Sequence, residues 1–171
     1  GMGVVFRAVR DDDAFHKEVA LKLLHTDFES DFFEERFRRE RQILAGLSHP
    51  HIAPLIDGGT TPSGQPYLVM AYVDGLPIDT YGARNQSTLV QRLALFDSVC
   101  AAVAYAHRQL VIHCDIKPSN VMVTLHDGVP VPKVIDFGIA KATEGRLTDA
   151  TVYTQLNQFI GTPAYMSPEQ A

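Results

Sequence analysis

Tryptophan is absent from this 171-residue chain, and cysteine occurs only as Cys100 and Cys114. Two thiols cannot build a disulfide framework, so the fold has to rest on a buried core, and the composition fits a reducing, cytosolic compartment. Positive charge is also scarce: 15 Lys and Arg against 20 Asp and Glu leave a formal net charge of −5. A nucleic-acid or anionic-membrane binder needs a positive field for its phosphate contacts, so that class is set aside. No stretch approaches the about eighteen consecutive apolar residues of a membrane span. No G-x-x-x-x-G-K-[ST] run occurs, which removes the P-loop NTPases. The chain opens on Gly1-Met2-Gly3, without a starting Met or a signal-peptide pattern, and stops at Ser167-Pro168-Glu169-Gln170-Ala171. Both ends are expected to be cuts in a longer protein. What is present is a 46% hydrophobic composition, enough for a real core.

The β-branched runs Val4-Val5-Phe6 and Val19-Ala20-Leu21, separated by Asp11-Asp12-Asp13, predict two antiparallel strands between Gly3 and Leu24. Phe33, Phe37, Leu44 and Leu47 then recur on one face of a 3.6-residue period and predict a helix ended by Ser48-His49-Pro50. Glu40 falls on the same stripe. A core-facing carboxylate must be neutralised, paired or opened to a cavity, so it asks for a cation from elsewhere. Strands are expected at about 52–57 and 66–73, joined by the turn-rich stretch 58–64. The longest helical pattern runs from about Thr88 to Gln109, capped by Ser87 or Thr88, with Leu89, Leu93, Phe96, Cys100 and Val103 as its core stripe. Cys100 reads there as a small core residue. The runs 121–125 and 131–135 flank Asp127-Gly128 as a hairpin, and 142–158 is polar, Thr-rich and without period.

The central stretch reads His113-Cys114-Asp115-Ile116-Lys117-Pro118-Ser119-Asn120, followed by Asp136-Phe137-Gly138. It resembles the catalytic loop and metal-binding loop of the protein kinases, H-R-D-x-K-x-x-N and D-F-G. Upstream, Val19-Ala20-Leu21-Lys22 matches the nucleotide-lysine strand, and Glu40 stands where the family places that lysine's partner. Downstream, Gly161-Thr162-Pro163 and Ser167-Pro168-Glu169 look like the end of an activation segment. Each motif alone is weak; five in order along the whole chain are specific. The wording is most similar to bacterial serine/threonine kinases of the eukaryotic type.

The resemblance implies an α+β, bilobal protein-kinase fold in truncated form, with residues 1–73 as the small β-rich lobe and 74–171 as part of the helical lobe. It implies a protein serine/threonine kinase that uses ATP and Mg²⁺ on a protein substrate with a Ser or Thr acceptor. Lys22 would hold the α- and β-phosphates and Glu40 would hold Lys22. Asn120 and Asp136 would bind Mg²⁺ as hard oxygen ligands, Asp115 would receive the substrate hydroxyl, and Lys117 would reach the γ-phosphate. Lys117 and Thr162 mark the serine/threonine class. Gly3 and Val5 fit the last glycine and the valine of the phosphate loop. Val5 and Ala20 would roof the adenine, Met122 would floor it, Met70 would be the gatekeeper, and Ala71 and Val73 would offer backbone hydrogen bonds. His113 is expected to be a core histidine packed near Phe137, and His49 and His51 to be loop residues rather than metal ligands.

Three departures qualify the match. The first two loop glycines and the strand before them are missing, the chain stops soon after Glu169, and Cys114 replaces the catalytic-loop arginine. The 171 residues alone are therefore expected to have negligible activity, with a sensor or membrane anchor left to the parent protein. The rival readings are a pseudokinase serving as a nucleotide-binding scaffold, prompted by Cys114, and a small-molecule kinase, which the stretch 161–169 disfavours.

Overall fold

A computed structural model describes residues 3–11, 16–24, 31–137 and 162–166, without the side chains of 31–36, 40 and 163. The expected strand pair is present as β1 (Gly3–Asp11) and β2 (His16–Leu24), antiparallel with Val5 opposite Lys22 and Arg7 opposite Ala20. Alternation therefore puts Val5, Arg7, Ala20 and Lys22 on one face. Helix α1 (Asp31–Ala45) follows, ending earlier than Ser48. Its stripe is correct where described, for Phe37 and Leu47 are buried and Leu44 is partly buried. Strands β3 (Leu55–Thr60) and β4 (Pro66–Ala71) complete a sheet of order β1-β2-β4-β3. Ala20 pairs with Met70 across its centre.

After β4 the chain forms a short strand, β5 (Leu76–Pro77), which sequence patterning did not foresee. A Cβ on Gly75 would lie 2.4 Å from the Val123 carbonyl oxygen, so only glycine lets the connector approach this closely. Helices α2 (Ile78–Arg84) and α3 (Leu89–Arg108) come next, then β6 (Val121–His126) and β7 (Val129–Val134), which with β5 make a second sheet of order β5-β6-β7. Asp127 and Gly128 turn the hairpin at φ 51° and 79°, the geometry that asks for this pair. Thr88 caps α3 in a reciprocal box: the Gln91 N–H donates to Thr88 Oγ1, and the Thr88 N–H to Gln91 Oε1.

Most of the expected core stripe of α3 faces away from the described core, although its last member, Val103, is partly buried against it. Leu89, Leu93 and Phe96 are exposed at 71, 56 and 60%, and Cys100 is exposed rather than a core residue. The buried residues are Leu95, Val99, Ala102 and Ala106, of which the last three pack with Ile52, Val121, Val134 and Phe137. Apolar residues run nearly all round α3, so periodicity offered two stripes and contact with β7 chose between them. By length and composition α3 could also cross a membrane, contrary to the reading of the bare sequence; its buried face makes it a core helix here.

Leu44 belongs to both apolar clusters, the one around α3 and the one formed by Leu24, Phe37 and Leu68. The segment after α1 is tied down as well. Ile52 bridges to Val134, His51 Nδ1 bonds the Pro132 carbonyl at 3.0 Å, and His49 stacks on Tyr105 with ring centroids 5.2 Å apart. His49 and His51 are thus loop residues with packing roles, as expected.

Candidate active site

Burial of Lys22 at 5% exposure leaves an ammonium that needs a counter-charge. It comes from 114 positions away: Lys22 Nζ is ion-paired with Asp136 Oδ1. Asp136 stands at φ 59° two residues after β7, in the left-handed region that Asp tolerates better than most residues. Glu40 is on α1, but its side chain lies outside the described structure, so the expected Lys22–Glu40 pair is not part of this geometry.

Asp115 lies between α3 and β6, and three side chains converge on it. Lys117 Nζ is 2.7 Å from its Oδ2, the Thr162 hydroxyl donates to its Oδ1 at 3.2 Å, and Asn120 Nδ2 donates to both its carbonyl (2.8 Å) and its Oδ2 (3.1 Å). Lys117 also donates to Thr162 Oγ1 at 2.8 Å. Burial by itself would raise the Asp115 carboxyl, but the hydrogen bond and charge of Lys117, with hydrogen bonds from Thr162 and Asn120, outweigh it and hold the carboxyl below its ordinary range. Asp115 is therefore an anion at neutral pH.

His113 holds this loop against the core. It is 1% exposed, its ring lies 4.6 Å from that of Phe137, and it bonds the Ile135 carbonyl through Nε2 at 3.0 Å. Nδ1 accepts the Asp115 N–H at 3.3 Å, which assigns the proton to Nε2. Burial pushes its pKa down, against the Ile135 hydrogen bond and the charges of Asp136 and Asp115, so the ring is a neutral brace. Asn120 is joined to the same unit through its carbonyl, which accepts the Ile135 N–H at 3.0 Å. Cys114 has φ 65°, and its thiol faces the Ile112 carbonyl at 3.6 Å.

The remaining candidates lie on strands of the two sheets and on the connector between them. Gly3 and Val5 are on β1, Ala20 and Met70 are neighbours in register, Ala71 ends β4, Val73 is in the connector, and Met122 is on β6 opposite Pro77. Val5 is 55% exposed, while Ala20, Met70, Val73 and Met122 are half-buried. Sequence reading passed over Arg7, whose only signal was its place two residues after Val5. Gly138, the stretch 142–158 and Ser167–Glu169 lie outside the described residues.

The protein kinase domain model matches residues 1–171. Serine/threonine-protein kinase PknB of Mycobacterium leprae is 39% identical over 165 residues, 94% of this chain and 25% of that protein. A probable serine/threonine-protein kinase of Corynebacterium efficiens is 41% identical over 177 residues, 100% of this chain and 26% of that protein. The chain thus spans about a quarter of the length of these relatives. Among solved structures, the Mycobacterium tuberculosis PknI kinase domain superposes with a TM-score of 0.63 at 35% identity, covering 81% of this chain and 56% of that one. Rad53 in complex with AMP-PNP, at 24% identity, covers 99% of this chain with a TM-score of 0.75 and bears on the fold alone. Likeness from end to end, with Lys22 paired to Asp136 and Asp115 joined to Lys117, Asn120 and Thr162, leads to one conclusion: this chain belongs to the protein kinase domain family and has the protein kinase fold.

Proposed function

We propose that this chain is the catalytic portion of a protein serine/threonine kinase that transfers the γ-phosphate of ATP to Ser or Thr hydroxyls of a protein. The observation that carries this reading is the Asp115 carboxylate, kept ionised by Lys117, Asn120 and Thr162. Phosphoryl transfer needs an aligned hydroxyl and compensation of phosphate charge more than covalent chemistry. Asp115 orients the incoming hydroxyl by accepting its hydrogen bond and takes its proton as the bond to phosphorus forms. Lys117, two residues on, places a positive charge beside the same point and reaches the γ-phosphate. The Thr162 hydroxyl, bonded to both Asp115 and Lys117, keeps their spacing.

Lys22 holds the α- and β-phosphates, with Glu40 as its second support. One carboxylate and one amide oxygen, on Asp136 and Asn120, suit Mg²⁺, which takes few protein ligands and completes its shell with water and phosphate oxygens. When bound, the cation neutralises triphosphate charge. Gly3 and Val5 cover the phosphates and base, Ala20 completes the roof, Met122 forms the floor and Met70 the back wall. The Ala71 N–H already donates to the Pro54 carbonyl at 3.0 Å, so Ala71 would meet a base through its carbonyl, and Val73 through its N–H. Residues 1–73 act as the nucleotide lobe and 74–171 as part of the substrate lobe. The kinase portion works on the cytoplasmic side, whatever anchor or sensor the whole protein carries.

The test is transfer of labelled phosphate by the full-length protein to a generic protein substrate, with Asp136→Ala and Lys22→Met alongside. Loss of transfer in both variants is expected; parental turnover in both would show the roles to be wrong. Cys114 favours one second reading, a nucleotide-binding pseudokinase, and binding of Mg²⁺-ATP without any transfer would establish it.

A further inference from the structure

Arg7 reaches across the front edge of the cleft. Its backbone is on β1 opposite Ala20, and its side chain shares a face with Val5, the proposed roof of the nucleotide site. Nη2 donates to Glu18 Oε1 on β2 at 2.5 Å, and Cζ stands 4.8 Å from the centre of the Tyr72 ring. Tyr72 lies between Ala71 and Val73, the two positions whose backbone is proposed to meet the base. One guanidinium therefore joins β1, β2 and the connector that leaves β4. The Glu18 hydrogen bond and charge, then the nearby Tyr72 and Asp74, favour its charged form.

We infer that Arg7 is a positioning residue for the nucleotide: by stacking on Tyr72 while tied to Glu18, it sets the separation between the β1–β2 roof and the connector, and so the width of the slot that takes the base. This rests on the nucleotide site proposed above. The Asp115 network lies on the other side of the cleft and does not include Arg7. Losing the latch should therefore weaken nucleotide binding without slowing the chemical step.

The experiment uses the full-length protein with Mg²⁺-ATP, measuring affinity by calorimetry and KM and kcat by phosphate transfer. Arg7→Ala and Tyr72→Leu should each raise the Kd and KM for ATP about two- to fivefold, the size of one exposed cation–π contact. Their kcat should stay within about twofold of the parent, and the double variant should be no worse than the weaker single one, because both remove the same contact. Arg7→Lys, which keeps a cation over the ring, should recover part of the affinity. Unchanged affinity in Arg7→Ala, additive losses in the double variant, or a fall in kcat at unchanged KM would each overturn the inference. If the parent binds no ATP, the proposed function fails with it; if the parent binds and Arg7→Ala binds equally, only the latch fails.

Discussion

The two sides of the cleft are built differently. On the lower side, His113, Asn120 and Phe137 are buried, and Asp115, Lys117, Asn120 and Thr162 satisfy one another within one short loop and one threonine. On the upper side, Val5 is largely exposed, and the buried ammonium of Lys22 takes its described partner, Asp136, from across the cleft. The side proposed to be catalytic is thus pre-organised by its own hydrogen bonds, whereas the side proposed to take the nucleotide draws order from contacts that bridge the two. Substitutions below should act on turnover and those above on nucleotide affinity.

The largest expected effect breaks the bridge itself. Lys22→Met leaves Asp136 without that ammonium and should lower phosphate transfer by at least about a hundredfold, with weaker ATP binding measured by calorimetry. Asp115→Asn should produce a comparable loss in kcat while ATP affinity stays near parental, because the change is confined to the lower side. Equal losses of affinity in both variants would erase the distinction. Thr162→Val removes the hydroxyl shared by Asp115 and Lys117 and should cost about tenfold in kcat, roughly the worth of one charge-assisted hydrogen bond.

Acid should loosen the lower side first. His113 has a folded pKa below its ordinary 6.5, so as pH falls through that value the unfolded chain takes up a proton that the folded one refuses, and stability declines. Asp115, held below its ordinary 3.8, adds stability that is present above that value and is lost as pH falls through its folded pKa. Thermal midpoints between about pH 7.5 and pH 5 should fall, with a shallower slope in His113→Asn. An identical slope would remove His113 as the cause.

The smallest effect concerns Cys114. An arginine beside the catalytic aspartate can bind a phosphorylated loop residue by charge-assisted hydrogen bonds, and a thiol cannot. Thr148, Thr151, Tyr153 and Thr154, the candidate phosphosites, lie outside the described residues. Phosphatase treatment of the full-length protein should change its activity little, and Cys114→Arg should make activity more sensitive to that treatment. A loss of orders of magnitude in both proteins would refute the uncoupling.

Much of the lower side was legible because its motif is local: Asp115, Lys117 and Asn120 fall within six residues, and His113 was already read as packing on Phe137. Thr162 was read as a class marker, but its bonds to Asp115 and Lys117 join positions about fifty apart, beyond any local pattern. Arg7 was missed because an arginine on a strand reads as a solvated face until the connector brings Tyr72 under it. The outward turn of Cys100 and Phe96 was missed because a helix apolar on nearly every face has no unique stripe.

By itself, the sequence determined what alternation, turn chemistry and motif order can carry: the β1–β2 pair, the Asp127-Gly128 hairpin, a cap for α3 at Ser87 or Thr88, the inward stripe of α1 where it is described, and the family. These depend on neighbours a few residues apart, whose geometry the backbone periods impose. Tertiary structure alone decided which face of α3 is buried, that β5 forms where Gly75 lets the connector touch Val123, and that Lys22 pairs with Asp136. Each of those results depends on bringing distant segments to within a few ångströms, and that closure is set by how the apolar faces around Leu44 pack, which no local pattern encodes.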